Sequence, residues 1–289
     1  MIELGPNRYG KQAIRLVKVV RGTGGHTVRD LTVGVRLEGD FAAAHVDGDN
    51  RLVVATDTMK NTVYALATDH LDGPIERFGR VLAEHFLDFG QVSRAGITLA
   101  EHAWLRMPTQ RGPAADAFLR GGDLTRTATV TGERAGDAAA IVVEAGIEDL
   151  VVMKTTKSAF SGFPRDRYTT LPEAADRLLA TRLAATWRYG GAEVDFDAAF
   201  EAVRATLLDV FAEHMSRSVQ ESAWLMGRAV LDGRPEIEEI RLALPNLHHW
   251  RVDLAPFGLG GGSELFVATT EPHGLIEATV RRGSESAGS

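Results

Sequence analysis

The stretch from Ala13 to Glu38 reads AIRLVKVVRGTGGHTVRDLTVGVRLE, two runs rich in Val, Ile, Leu and Thr separated by Gly22-Thr23-Gly24-Gly25. Branched side chains favour extended chain and the glycine-rich break supplies turn chemistry, so the stretch is predicted to form a β-hairpin. The period then changes. From Thr58 to Thr68 and from Pro74 to Phe89 apolar residues recur at helical spacing, with Ile75, Phe78, Val81, Leu82 and Phe86 on one stripe; two helices follow the hairpin. Gln91–Met107, Thr125–Gly132 and Ala139–Lys154 return to partial alternation with many β-branched side chains, and read as strands.

The second half repeats the order. A strand runs up to Thr156, a short helix is predicted at Leu171–Ala180, a strand to Tyr189, an amphipathic helix at Phe196–Met215, and strands at Ser222–Leu231 and Trp250–Leu254. Two similar α+β units are the economical reading, with antiparallel sheets carrying helices on one face. Residues 1–136 are assigned to the first unit and 137–282 to the second. The stretch from Gly283 to Ser289 is too polar and small to pack and is expected to be a flexible tail.

A chain of 289 residues has room for two domains of about 150 residues, each able to bury a core. With 44% apolar and 25% charged residues the composition is that of a soluble globular protein. No apolar run approaches the roughly 18 residues of a membrane span. Lys and Arg number 32 against 39 Asp and Glu, a formal charge of -7, the wrong sign for coating nucleic acid or an anionic membrane. Zero cysteines exclude disulfides, thiolate nucleophiles, iron–sulfur clusters and Cys-ligated zinc. Met1-Ile2-Glu3-Leu4-Gly5 does not resemble a secretory signal, so a cytoplasmic location is expected.

Most standard motifs are absent. There is no H-E-x-x-H, and the neighbours His248 and His249 would point to opposite faces of a strand, so no metal site is expected. Gly258–Gly262 resembles a phosphate loop in composition only, since no Lys-Ser or Lys-Thr follows it, and reads as a mobile loop. No G-x-S-x-G elbow marks a nucleophilic serine. Three polar islands stand out instead: Tyr9-Gly10-Lys11 at the entrance to the first strand, Ala55-Thr56-Asp57-Thr58-Met59-Lys60-Asn61-Thr62 where a strand gives way to a helix, and Leu244-Pro245-Asn246-Leu247-His248-His249-Trp250. Each has a purely structural reading. Lys11 suits a solvated strand end, Asp57 or Thr58 can cap helix amides, and the third island can be a turn. A helix start of that kind also presents backbone N–H groups to an anion or a carbonyl oxygen.

Together with Val53-Val54, Phe163-Pro164-Arg165-Asp166-Arg167-Tyr168-Thr169-Thr170-Leu171 and Ser218-Val219-Gln220, these islands resemble urate oxidase, the uricase family, in the family's order from residue 9 to residue 254. The resemblance implies the tunnelling fold, two α+β units per chain assembling as a homotetramer around a central tunnel, with active sites at subunit interfaces. It also implies oxidation of urate by dioxygen and water to 5-hydroxyisourate and hydrogen peroxide, with neither a metal nor an organic cofactor. Carried over residue by residue, the ligand clamp falls on Arg177 and Gln220, the stacking aromatic on Phe160 and a backbone contact on Val219. The proton relay falls on Lys11, Thr56 and His248, and the oxygen or water site on Thr56 and Asn246. Asp57 matches a residue whose backbone lies near the ligand.

The chemistry of urate makes these residue types intelligible. A planar anion edged with carbonyl oxygens and ring N–H groups is matched by a guanidinium fork and a primary amide. Lysine at its reference pKa of about 10.4 is charged at neutral pH, so Lys11 needs a lowered pKa or a relay through Thr56 and His248 to act as a base. Taken singly, Phe160 also suits a core, Arg177 a helical ion pair with Glu173, and Gln220 a strand cap. Another purine or pterin enzyme of the same fold, or a purine-binding protein without turnover, are the competing readings. The first generally uses a glutamate anchor where Gln220 stands, and the second has no need of a relay. The chain ends Ala287-Gly288-Ser289 rather than in the peroxisomal tripeptide of eukaryotic members, which suggests a bacterial-type enzyme.

Overall fold

The structure, a computed structural model, describes residues 2–136, 138–191, 193–259 and 264–283. The chain divides into two compact units, Met1–Gly146 and Ile147–Ser289.

Unit 1 opens with β1 (Tyr9–Gly22) and β2 (Gly25–Gly39), an antiparallel hairpin in which Gly22 faces Gly25. Gly25, at φ +114, takes the left-handed backbone that closes the two-residue loop. The helices α1 (Ala42–Val46), α2 (Thr56–His70) and α3 (Ile75–Leu87) follow. Then come β3 (Val92–Glu101), β4 (Trp104–Thr109), β5 (Gly112–Arg120), β6 (Thr125–Ala135) and β7 (Ala138–Lys154). The sheet runs β1-β2-β3-β6-β7, while β4 and β5 pair separately. Alternation places Leu31, Val33, Val35 and Leu37 of β2 on the buried face. The predicted α3 stripe supplies Ile75, Phe78, Leu82 and Phe86, all fully buried, each contributing about 1.5 to 3 kcal/mol by burial. Gly79 permits the close approach of helix to sheet, since a Cβ there would lie 2.7 Å from Val130 Cγ2 and 2.9 Å from Leu99 Cδ1.

Unit 2 takes the second half of β7 and adds β8 (Leu179–Tyr189), α4 (Phe196–Glu213), α5 (Val219–Gly233), β9 (Ile237–Pro245), β10 (His249–Arg251), a 3₁₀ turn at Ala255–Phe257, β11 (Phe266–Ala268) and β12 (Leu275–Arg281). Its sheet runs β7-β8-β9-β12, and β10 pairs with β11. Both long helices start on side-chain caps: Asp195 accepts the Ala198 N–H at 3.1 Å, and Ser218 accepts the Glu221 N–H at 3.1 Å.

Several elements differ from the sequence reading. Ser222–Leu231, predicted as a strand, lies within α5 and buries Ser222, Ala223, Met226, Gly227, Val230 and Leu231 at helical spacing. A short apolar run is ambiguous in period, and the Ser218-x-x-Glu221 cap is the signal that decides it. Leu171–Ala180 is not a helix. Residues 171–178 are irregular and Leu179 already begins β8, because the amides of Ala174 and Arg177 donate to Phe160 and Ser158 rather than along their own segment. The predicted strand Gln91–Met107 breaks into β3 and β4, which joins the separate β4–β5 pair. β10 covers only the start of Trp250–Leu254, and β5, β9, β11 and β12 are strands that the sequence reading does not assign. The two units part within β7, at Gly146, ten residues after Gly136 with its φ of +66. Residues 260–262 of the predicted glycine loop, and 284–289 of the expected tail, lie outside the described residues. No helix among the described residues is long and apolar enough to cross a membrane.

Candidate active site

In unit 2 the polypeptide at 157–160 is laced to two neighbours. The Ala159 N–H donates to Ser216 (2.7 Å) and the Ser216 N–H to Lys157 (2.9 Å). On the other side Phe160 and Ala174 exchange backbone bonds of 2.8 and 2.9 Å, and the Arg177 N–H donates to Ser158 at 2.8 Å. One short extended segment thereby brings Phe160, Arg177 and the entrance to α5, with Val219 and Gln220, into one neighbourhood. Arg177 lies with its guanidinium carbon 5.1 Å from the Phe160 ring centroid. Its Nε is buried and has no hydrogen-bond partner among the described residues. Burial lowers the pKa of this guanidinium, although such a group stays charged at any ordinary pH. The alternative ion pair with Glu173 is not formed: a Glu173 carboxylate oxygen accepts the Gly162 N–H at 3.0 Å.

Phe160 and Arg177 line a cavity of about 800 Å³ together with Asn246, His248, Trp250 and Phe266. The third polar island is held there by its backbone. The Thr181 hydroxyl donates to Pro245 (2.9 Å), Asn246 N–H to Gly274 (2.8 Å), Leu247 N–H to Ala180 (2.8 Å), and the His248 carbonyl accepts the Thr269 N–H (2.8 Å). With these backbone groups engaged, Asn246 and His248 line the cavity. Burial first, then the nearby Arg177 charge and after it His273 and His249, push His248 below the ordinary imidazole value, so at neutral pH it is an uncharged donor and acceptor. Its ring stacks on Trp250, centroids 5.3 Å apart. The sequence reading assigns Trp250 no role; its spacing of two from His248 on extended chain, which puts both on one face, is the signal.

Val219 and Gln220 are not on the cavity lining. Val219 is buried at the first turn of α5, and Gln220 is exposed beside it. Gln220 therefore caps no strand.

Lys11, Thr56 and Asp57 belong to unit 1. The Tyr9 hydroxyl accepts the Val54 N–H (2.8 Å) and donates to the Val54 carbonyl (3.1 Å), while its ring meets Phe41 edge-on at 4.8 Å. This clamp ties the entrance of β1 to the approach of α2, two residues before Thr56. Gly10 is required beside it, since a Cβ would fall 1.9 Å from the Val35 carbonyl oxygen. Beyond it the β1–β2 register slips between Lys11 and Ile14, where Ala13 adopts φ +55. Lys11 is half-buried and near enough to Asp57 to help lower its pKa, after the larger effect of Lys60 and together with the Asn61 hydrogen bond, against a smaller opposing effect of burial. The predicted capping by Asp57 or Thr58 is not made. α2 starts from Ala55 with no side-chain cap, and the Asp57 carboxylate binds Lys60 and Asn61 instead. The first amides of α2 thus remain free of side-chain acceptors. Among the described residues no group of three or more His, Asp or Glu is placed to hold a metal ion.

Two successive units of antiparallel sheet with attached helices define an α+β protein, and its cavity sets a cation over an aromatic ring. The uricase family profile matches residues 7–131 and 143–277. The chain is 49% identical over 282 residues to the uricase of Arthrobacter globiformis, covering 97% of this chain and 90% of that protein. It is 39% identical to the uricase of Dictyostelium discoideum, covering 98% of each. The crystal structure of the Arthrobacter globiformis enzyme superposes with a TM-score of 0.92 at 46% identity, over 100% of this chain and 98% of that one. The chain belongs to the uricase family.

Proposed function

We propose that the protein, an oxidoreductase of the uricase family, converts urate, dioxygen and water into 5-hydroxyisourate and hydrogen peroxide without a metal or organic cofactor. Urate gives up two electrons, dioxygen takes both and leaves as peroxide, and water supplies the hydroxyl of the product. The observation that carries this reading is the Arg177 guanidinium above Phe160, its Nε buried and partnerless, in one cavity with Asn246 and His248. A buried donor without an acceptor is costly, and an anionic planar ligand removes that cost.

In this reading Arg177 and the exposed amide of Gln220 bond adjacent edges of urate, Phe160 stacks on its face, and the Val219 and Asp57 backbones border it. Thr56 and Asn246 hold dioxygen or water above the ring. Lys11, Thr56 and His248 pass on the ring proton, with neutral His248 as the acceptor that its lowered pKa favours. Lys11, Thr56 and Asp57 come from the first unit of one chain of a homotetramer, and the remaining residues from the second unit of another. The test is direct: purified protein should bleach the ultraviolet absorbance of urate while consuming one dioxygen and releasing one peroxide per urate. Binding without bleaching would leave a purine-binding protein and overturn the reading.

A further inference from the structure

Beneath Val219 and Gln220 runs a buried row of polar side chains that the proposed chemistry does not use. His214 ends α4, with Nδ1 2.5 Å from the Val210 carbonyl oxygen and Nε2 2.8 Å from Ser222 Oγ. A carbonyl can only accept, so Nδ1 carries the proton, and in the neutral ring Nε2 is then an acceptor. Ser222 therefore spends its single hydroxyl proton on Nε2 rather than on the Ser218 carbonyl at 3.2 Å. Its oxygen is then free to accept from Ser216 Oγ at 2.8 Å. Ser216 and Ser222 are 1% and 0% exposed, so bulk water cannot replace a missing partner. One neutral tautomer thus sets which way Ser222 donates, while the Ser216 hydroxyl has both Ser222 Oγ and the Ser218 carbonyl (3.1 Å) within reach.

Both ends of the row reach the candidate site. The Ser216 carbonyl accepts the N–H of Ala159, the residue before Phe160. Ser222 lies one turn into α5 and donates its N–H to Ser218, the residue before Val219. Two charged groups face the imidazole. Lys154 donates to the carbonyls of His214 (2.8 Å) and Phe211 (3.2 Å). Glu221 is held by the Arg217 N–H at 2.9 Å and by its guanidinium. Burial above all keeps His214 below the ordinary imidazole value; the Val210 bond and Glu221 oppose it, and the Lys154 charge assists it.

Resting on the urate-oxidising reading above, we infer that His214, as the Nδ1–H tautomer, is a positioning residue. Through Ser222 and Ser216 it sets the spacing between the Phe160 segment and the start of α5, and so governs affinity for the planar anion rather than the rate of its oxidation. His214, Ser216 and Ser222 do not line the cavity.

The experiment is Ser222→Ala in the full-length protein, a change to a better helix former that removes only the hydroxyl. The KM for urate should rise about fivefold to tenfold, the size of one neutral hydrogen bond, with kcat within about twofold of wild type. In parallel, ¹⁵N-histidine NMR of the wild type at about pH 8 should report the Nδ1–H form for His214, with Ser222→Ala identifying its resonance. An unchanged KM, a fall in kcat matching the rise in KM, or an Nε2–H tautomer or imidazolium would overturn the inference. Should the variant not fold, the wild-type tautomer, assigned through His214→Gln, decides. A wild type that neither binds nor oxidises urate refutes the functional reading and the positioning role with it; an active wild type with an unchanged variant refutes the positioning role alone.

Discussion

The guanidinium of Arg177 lies over the ring of Phe160 at 5.1 Å, and their two backbone segments are tied to each other, Arg177 donating to Ser158 and Phe160 exchanging bonds with Ala174. A planar cation and a planar aromatic are thereby presented together, with one buried N–H still unpaired. Arg177→Lys keeps the charge but removes the fork. It should weaken urate binding by about 2 to 4 kcal/mol, roughly 30- to 1,000-fold in KM. Steady-state kinetics that place the Lys variant within twofold of wild type would remove Arg177 from the clamp.

Binding and chemistry should separate by mutation. Gln220 is exposed at the first turn of α5, so Gln220→Ala should leave folding intact and chiefly raise KM. Lys11→Met should retain urate binding and lower kcat by about 10²- to 10⁴-fold, the usual size of a general-base effect. A Lys11→Met protein with wild-type turnover would take Lys11 out of the relay.

Three partly buried histidines, His102, His214 and His248, are all held below the ordinary imidazole value, chiefly by burial. The unfolded chain therefore binds more protons than the native one as pH falls below about 6.5. The stability these groups contribute is present above that pH and is lost as pH falls through their native values. Urea midpoints that rise from pH 5 to about 6.5 and then level off are expected. Because the Arg177 charge helps to depress His248, Arg177→Ala should raise the midpoint of the His248 NMR titration; no movement would mean that the charge is screened.

Exhaustive dialysis against a strong chelator should leave urate oxidation unchanged. Loss of activity restored by an added metal ion would refute the cofactor-free mechanism.

Site sharing between chains is tested by complementation. Lys11→Met and Arg177→Ala, each inactive alone, should regain part of the activity when unfolded and refolded together, because some shared sites would carry neither lesion. Variants shown by mass to co-assemble, yet inactive at every mixing ratio, would place each site within one chain.

The helix α3 and the β1–β2 hairpin were legible because their periods are strong and their turn chemistry is local. α5 was read as strand because its apolar residues cluster over a short run, where the periods of two and 3.6 are hard to separate. The helix expected over Leu171–Ala180 does not form because amides at Ala174 and Arg177 are taken by Phe160 and Ser158, a pairing across more than ten residues that no local window contains. The same pairing removed the expected contact of Arg177 with Glu173.

By itself the sequence determined the α+β class, the uricase-family resemblance and the residue types available for a planar anion, since composition, periodicity and ordered motifs are properties of the chain. Only the tertiary structure decided that Phe160, Arg177, Asn246 and His248 share a cavity, that Tyr9 clamps the approach to Thr56, and that His214 Nδ1 meets the Val210 carbonyl. Each of these depends on which donor meets which acceptor after the chain has folded back, and on how much water that meeting excludes.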